Sequence, residues 1–334
     1  MNMTAKELAA MLGVSPSAVS IALNDKKGIS DETRQRILSA ASQYNLKPVS
    51  RKKAPEQYIM LAIYKKHGQV LSDTDFFSAV IEGITSRAVE CGFSLLLNYV
   101  YGEKELAGLR DQYEESDCSG IIFFSTEMDE DDMRILDGFR LPHVILDSFF
   151  AKLHHNYVTI NNLEGSYLAT KYLLEQGHRR IGYICSKIII NNFMERRRGM
   201  IMAMKEYEGC TLQTISVLPT QVGAYESMSE WLKEENELDS TAFFVDNDTI
   251  AVSVIRALTE KGYSIPNDFS IAGFDDMPVT RVMAPRLTTI RVEKETLGRT
   301  AVNRLCSAIK DNSFTIHEMV GVSLVVRDSV QKYG

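Results

Sequence analysis

Apolar residues in positions 4–46 recur at helical spacing and predict three short helices. In the first, Leu8, Ala9 and Leu12 share a face behind a Thr4 cap, and Gly13 ends it. Only Val14 then stands before Ser15, which caps a second helix with Pro16 at its first position. Helices joined that tightly must cross steeply, which predicts a helix-turn-helix. A third helix begins at Ser30, with Asp31, Glu32 and Thr33 in its first turn and Ile37, Leu38 and Ala41 as its buried stripe. The period disappears over residues 47–57, where Pro48, Ser50, Arg51, Lys52, Lys53 and Pro55 make a basic linker.

Beyond the linker the pattern changes to short runs that are apolar on both faces, at 58–64, 94–98, 120–124, 143–146, 180–184, 242–245 and 270–274. Such runs suit parallel strands covered by helices. Amphipathic stretches of helical length lie among them, at 76–91, 163–176, 193–207 and 249–262; in the second, Leu163, Tyr167, Thr170 and Leu174 share a face. The alternation predicts a doubly wound α/β fold. Its length exceeds what one such sheet usually holds and predicts two similar lobes with a cleft between them. The organisation read from the pattern is an all-α head at 1–46, a linker or hinge at 47–57 and a two-lobed α/β body at 58–334.

Composition sharpens this division. The 334 residues are 45% hydrophobic and 24% charged, an ordinary globular balance, and too many for one typical domain. The net charge of -7 conceals an asymmetry: the first 54 residues hold nine Lys and Arg against four acidic residues, leaving the remainder strongly acidic. A basic head on an acidic body predicts that the head meets a polyanion which the body repels. Five scattered cysteines (Cys91, Cys118, Cys185, Cys210, Cys306) without CxxC spacing suit free thiols in a reducing cytoplasm rather than a disulfide framework or a zinc site. Lys6 and Glu7 interrupt the first apolar stretch, so it is no signal-peptide core, and no run approaches the ~18 apolar residues of a membrane span.

Residue by residue, Thr4-Ala5-Lys6-Glu7-Leu8-Ala9, Gly13-Val14-Ser15, Ala18-Val19-Ser20 and Leu23-Asn24 follow an order that resembles the DNA-reading head of the LacI/GalR family of repressors. The likeness continues through Asp75-Phe76-Phe77, Gly177-His178-Arg179-Arg180-Ile181, Arg196 three residues before Gly199, and Asn247-Asp248. It ends with Gly273-Phe274-Asp275-Asp276 and Pro285-Arg286-Leu287-Thr288-Thr289-Ile290. The resemblance implies a cytoplasmic homodimeric repressor without catalytic residues, metal or cofactor. Its second helix would lie in the major groove of a double-stranded DNA operator, and its periplasmic-binding-protein-like body would take a small effector, a sugar, between the lobes.

Carried over by position, the DNA-binding residues are Thr4, Ser15, Pro16, Ser17, Ser20, Ile21, Asn24 and Ser30, with Arg51 in the linker. Ile21 stands where the family frequently has a base-reading arginine. It either offers apolar contact, for instance to a thymine methyl, or packs on the third helix and reads nothing. The linker lacks the family's wedge leucine and contains Pro55, which implies less kinking of the operator; Arg51-Lys52-Lys53 can still neutralise phosphates.

The effector residues implied are Phe76 or Phe77, Asn161, Asn192, Arg196, Asn247, Asp248 and Asp275. Carboxylates, carboxamides and a guanidinium bridge sugar hydroxyls while an aromatic face covers the ring. Plain alternatives stand beside each: only one of the two phenylalanines faces the cleft, two of Arg196-Arg197-Arg198 are surface residues, Asp248 only caps a helix, and one of Asp275 and Asp276 caps a turn. Asn161-Asn162 replaces the family's frequent Asp-Asn, and Ile188-Ile189-Ile190 is more apolar than a simple monosaccharide site needs. A glycoside, a larger saccharide, a non-sugar effector and a phosphocarrier corepressor all stay open. A periplasmic sugar-binding protein would have no use for the basic head. A dinucleotide enzyme would need GxGxxG where Ile63-Tyr64-Lys65-Lys66-His67-Gly68 stands, and His154, His155 and His178 lack ligand-spaced partners.

Overall fold

The structure, a computed structural model, describes residues 4–23, 28–44, 57–71, 74–113, 116–234 and 237–334. Asn24 and the linker positions 47–56, Arg51 included, lie outside the described residues. The chain divides into two compact units, 1–56 and 57–334.

In the first unit, α1 (Ala5–Leu12), α2 (Pro16–Leu23) and α3 (Asp31–Gln43) form because each start is capped locally. Thr4 and Glu7 make a reciprocal capping box, Ser15 Oγ accepts from the Ala18 N–H at 3.1 Å, and Ser30 Oγ accepts from the Thr33 N–H. Gly13 closes α1 in the left-handed region at φ 66°, and the α2 axis turns by 111° from that of α1, the helix-turn-helix angle. Leu8, Ala9, Val19, Ala22, Ile37, Ala40 and Ala41 form the core. Leu38, expected in the buried stripe of α3, is exposed: the helix turns Ile37, Ala40 and Ala41 inward, and a residue one step out of that phase faces solvent. Arg36, unforeseen in the sequence, donates from Nη2 to the Leu12 carbonyl at 2.6 Å and ties α3 to the end of α1.

The second unit contains two 6-stranded sheets. One comprises β1 (Tyr58–Lys65), β2 (Ser94–Tyr101), β3 (Cys118–Phe124), β4 (His143–Leu146), β5 (Asn156–Ile160) and β11 (His317–Val320), in the order β11-β5-β4-β3-β1-β2. The other comprises β6 (Arg180–Ser186), β7 (Thr211–Val217), β8 (Ala242–Val245), β9 (Ser270–Asp275), β10 (Thr288–Val292) and β12 (Val322–Val325), in the order β12-β10-β9-β8-β6-β7. The pairings are parallel except β10 with β12, which is antiparallel. The chain passes between lobes at Asn161, Glu293 and Gly321. This doubly wound, two-lobed body agrees with the sequence pattern.

Several elements depart from expectation. β5 and β10 escaped the apolar-run criterion because buried polar side chains interrupt them. Asn156 accepts from the Ile316 N–H, and Thr289 Oγ1 donates to Asp248 at 2.6 Å. β2 is an edge strand with Leu96, Leu97, Tyr99 and Tyr101 exposed, rather than a strand covered on both faces. In α7 (Asn162–Glu175) the buried residues are Asn162, Gly165, Ser166, Ala169, Thr170, Leu173 and Leu174, so Thr170 and Leu174 are buried as expected while Leu163 and Tyr167 are only half-buried. The cause is the close approach of α8 (Asn191–Met204): a β-carbon on Gly199 would lie 2.0 Å from the Leu163 carbonyl oxygen. That approach also brings Arg196, one turn earlier on α8, to Asn162. No single helix among the described residues is long and apolar enough to cross a membrane.

Candidate functional site

On the head, Thr4, Ser15, Pro16, Ser17, Ser20 and Ser30 are exposed. Ser15, Ser17 and Ser20 therefore set small hydroxyls along the outer side of α2, while Val19 and Ala22 face the core. Ile21 is half-buried but stands outside the apolar cluster of the head. Its Cδ1 lies beside Gly28, at 3.6 Å from where a β-carbon there would sit.

In the body, strand ends and helix starts of both lobes converge on a narrow, partly open cavity. Phe76 and Phe77, Val70, Ile190 and Phe193 supply its apolar wall, and Thr126, Asp147, Asn192, Arg196, Asn247 and Asp275 its polar one. Both phenylalanines line it, correcting the expectation that only one would. At the start of α4 (Thr74–Glu90) the Phe76 and Phe77 rings meet edge to face at 5.3 Å, and Phe77 leans likewise on Phe124.

Arg196 organises the polar wall. It is 3% exposed, stacks over the Phe274 ring at 3.7 Å, and spends its guanidinium in three directions. Nε donates to Asn162 Oδ1 at 2.9 Å, Nη1 to the Asp246 carbonyl at 2.5 Å, and Nη2 to Asp275 at 3.3 Å. Arg197 and Arg198 are exposed, as the charge run suggested. Asp147 faces this group from the other lobe. One oxygen accepts from Thr126 at 2.6 Å, whereas Oδ1 is buried and meets no donor at hydrogen-bonding geometry. Burial pushes the Asp147 carboxyl up to about 6, against the Thr126 hydroxyl and the Arg196 charge. Behind the wall, burial lifts Asp246 to about 7, opposed by the Tyr183 hydroxyl and the Ser186 N–H. Asp147 and Asp275 have φ of 70° and 111°; such backbone is uncommon outside glycine and collects at binding sites.

Two expected effector residues fall outside the cavity. Asn161 caps α7, accepting from the Glu164 N–H and donating to its carboxylate at 2.6 Å, and it is Asn162 that turns inward to Arg196 and Asn192. Asp248, the first residue of α10 (Asp248–Glu260), is consumed by the Thr289 hydroxyl and the Met277 N–H. Asn247 is the cap of that helix and lines the cavity as well. Asp276 belongs to the scaffold: burial alone would raise its pKa, but hydrogen bonds from Arg327, Arg291 and Arg281 outweigh this and hold it well below the usual range. Thr126, Asp147 and Val70 were not foreseen. A strand-end rule applied to the 143–146 run points to Asp147. Among the described residues no group of His, Cys, Asp and Glu is arranged to hold a metal ion.

A family profile for bacterial regulatory proteins of the lacI type matches residues 4–48, and one for a periplasmic binding protein-like domain matches 170–330. The HTH-type transcriptional repressor PurR of Mannheimia succiniciproducens is 32% identical, spanning 98% of this chain and 99% of its own. The chain belongs to the lacI family. It is thus a DNA-binding transcription regulator rather than an enzyme. Among solved structures, a LacI family transcriptional regulator from Enterococcus faecalis with bound ribose is 25% identical, with a TM-score of 0.69 over 82% of this chain and 100% of that one. The lac repressor dimer bound to operator and the anti-inducer ONPF, 23% identical, shares the fold with a TM-score of 0.73 over 99% of this chain and 100% of that one.

Proposed function

We propose that this regulator is an operator-binding repressor whose effector is a neutral sugar ring held between Asp147 of one lobe and Arg196, Asn247 and Asp275 of the other. The observation that carries the reading is buried Asp147, whose Oδ1 has only the nearby Asn192 carboxamide beside it and no donor at full hydrogen-bonding geometry, in a cavity that also offers aromatic faces. A sugar hydroxyl supplies the missing donor, accepts from the opposing guanidinium or carboxamides, and lets the apolar side of its ring cover Phe76 or Phe77. The ribose-bound relative points the same way. Because the ligand contacts both lobes, it favours the lobe arrangement in which both sets of groups reach it.

Homodimerisation supports the same reading: the edge strand β2 displays Leu96, Leu97, Tyr99 and Tyr101, and an open apolar edge is stable when a second copy covers it. Paired heads then read a two-fold operator through Ser15, Ser17, Ser20 and Ile21, with Thr4, Pro16, Asn24, Ser30 and Arg51 on the backbone. The test is selection of binding sites from random DNA, followed by gel shift with a sugar panel. A palindromic site released by one sugar is expected; a chain that selects no DNA, or whose complex no sugar changes, refutes the proposal.

The same selection tests Ile21. An isoleucine beside a small-hydroxyl surface makes apolar base contacts, so the natural chain is expected to prefer a thymine where Ile21→Arg prefers a guanine. A bidentate arginine–guanine pair is worth about 1–3 kcal/mol of discrimination. Identical sites for both proteins would remove Ile21 from the DNA-reading surface.

A further inference from the structure

Val70, Ile190 and Phe193 form a small apolar cluster of their own, apart from the lobe cores, with Ile188 packed on it. Val70 comes from the loop after β1 in one lobe, Ile190 and Phe193 from the start of α8 in the other, and all three line the effector cavity. One side of the cavity is therefore an apolar seam running across both lobes.

The backbone on the Val70 side of that seam is already committed, while α8 begins at Ile190 without a side-chain cap. Glu127, itself buried, accepts N–H bonds from Lys66, His67 and Gly68 on Oε2 at 3.0, 3.1 and 2.8 Å, and from Val70 and Leu71 on Oε1 at 3.0 and 3.1 Å. The Gln69 N–H donates to His67 Nδ1. On the opposite lobe, the Ile190 carbonyl accepts from the Met194 N–H and the Ile188 N–H donates to Ser186 Oγ. A ligand hydroxyl turned toward Val70 would exchange its hydrogen bonds with water for none, whereas a methyl group there gains apolar contact.

Resting on the sugar reading above, we infer that the effector carries a methyl-sized apolar substituent, as a 6-deoxyhexose or a methyl glycoside does, and that this group sits against Val70, Ile190 and Phe193. The polar wall reads the ring hydroxyls, and the seam rejects a hydroxyl at the position where that group sits.

Titration calorimetry of the full chain with matched pairs tests this, each hexose against its 6-deoxy counterpart and its methyl glycoside. For the ring stereochemistry that binds, the apolar member is expected to bind about tenfold to a hundredfold more tightly. Ile190→Thr, which sets a hydroxyl in the seam, is expected to bring the pair close to parity, and Ile190→Val, the same size as threonine without the hydroxyl, to keep most of the preference. A hexose that binds as well as its apolar partners, or a ratio unchanged by Ile190→Thr, overturns the inference while leaving the sugar reading intact. Absence of binding by every sugar overturns the sugar reading and this inference with it.

Discussion

Replacing Arg196 by methionine is expected to abolish effector binding and to leave a repressor that no longer leaves its operator. The side chain keeps its unbranched apolar stem but ends where the guanidinium begins, losing the bonds to Asn162, the Asp246 carbonyl and Asp275 together with the stack on Phe274. Asp275 is then a buried carboxylate without its guanidinium, and removing one partner of a buried pair costs about 3–5 kcal/mol. Urea unfolding measures that loss in the body. Calorimetry with the effector is expected to show affinity reduced beyond detection, and gel shift to show operator binding retained, because the head has its own core and caps. Arg196→Lys is the companion variant: it keeps the charge but cannot point donors in three directions, so effector binding fails while stability is partly regained. Normal effector affinity in the methionine variant would take Arg196 out of the site.

What the sequence revealed follows the range over which each feature is determined. The head was legible because its signals are local: Thr4 with Glu7, Ser15 with Pro16, Ser30 with Thr33. Leu38 was misplaced by a single step of helical phase, which nearby spacing leaves ambiguous. In the body, β1, β3 and β8 showed themselves as continuous apolar runs, whereas β5 and β10 depend on distant partners for their buried Asn and Thr and so did not stand out as apolar runs. Arg196, Asn247 and Asp275 came from the family pattern and line the cavity. Asn161 and Asn162 differ by one residue at a helix start, and only the packing of α7 on α8 determines which turns inward. The seam at Val70 was least legible. Its loop takes its shape from five N–H groups gathered by Glu127, more than fifty residues further along the chain.

Raising the pH from 5 to 8 is expected to tighten effector binding while the stability that Asp147 contributes to the empty body declines, two opposite slopes from the same carboxylate. Burial raises Asp147 to about 6 and Asp246 to about 7, well above the ~3.9 of an unfolded aspartate. Between these values the folded protein binds protons that the unfolded chain does not. The associated stability is therefore present at low pH and is lost as the pH rises through 6 and then 7. Burial lowers His143 to about 4 and lowers His155, His178 and His317 as well, and these give the opposite slope. The contribution of Asp147 is therefore read as the difference in melting temperature, natural chain minus Asp147→Asn, which should fall across this window. Effector binding runs the other way. A sugar hydroxyl that donates to Asp147 Oδ1 requires the ionised carboxylate, so affinity should rise up to tenfold per pH unit below about 6 and level off above it. Asp147→Asn keeps the shape of the site and removes the proton. It is expected to bind at least tenfold more weakly at pH 8 and to lose the pH dependence between 5 and 7, and calorimetry across that range measures both. An effector that binds more tightly at pH 5 than at pH 8 would mean that Asp147 acts as a protonated donor, and the assignment of a ligand hydroxyl to its free oxygen would fall.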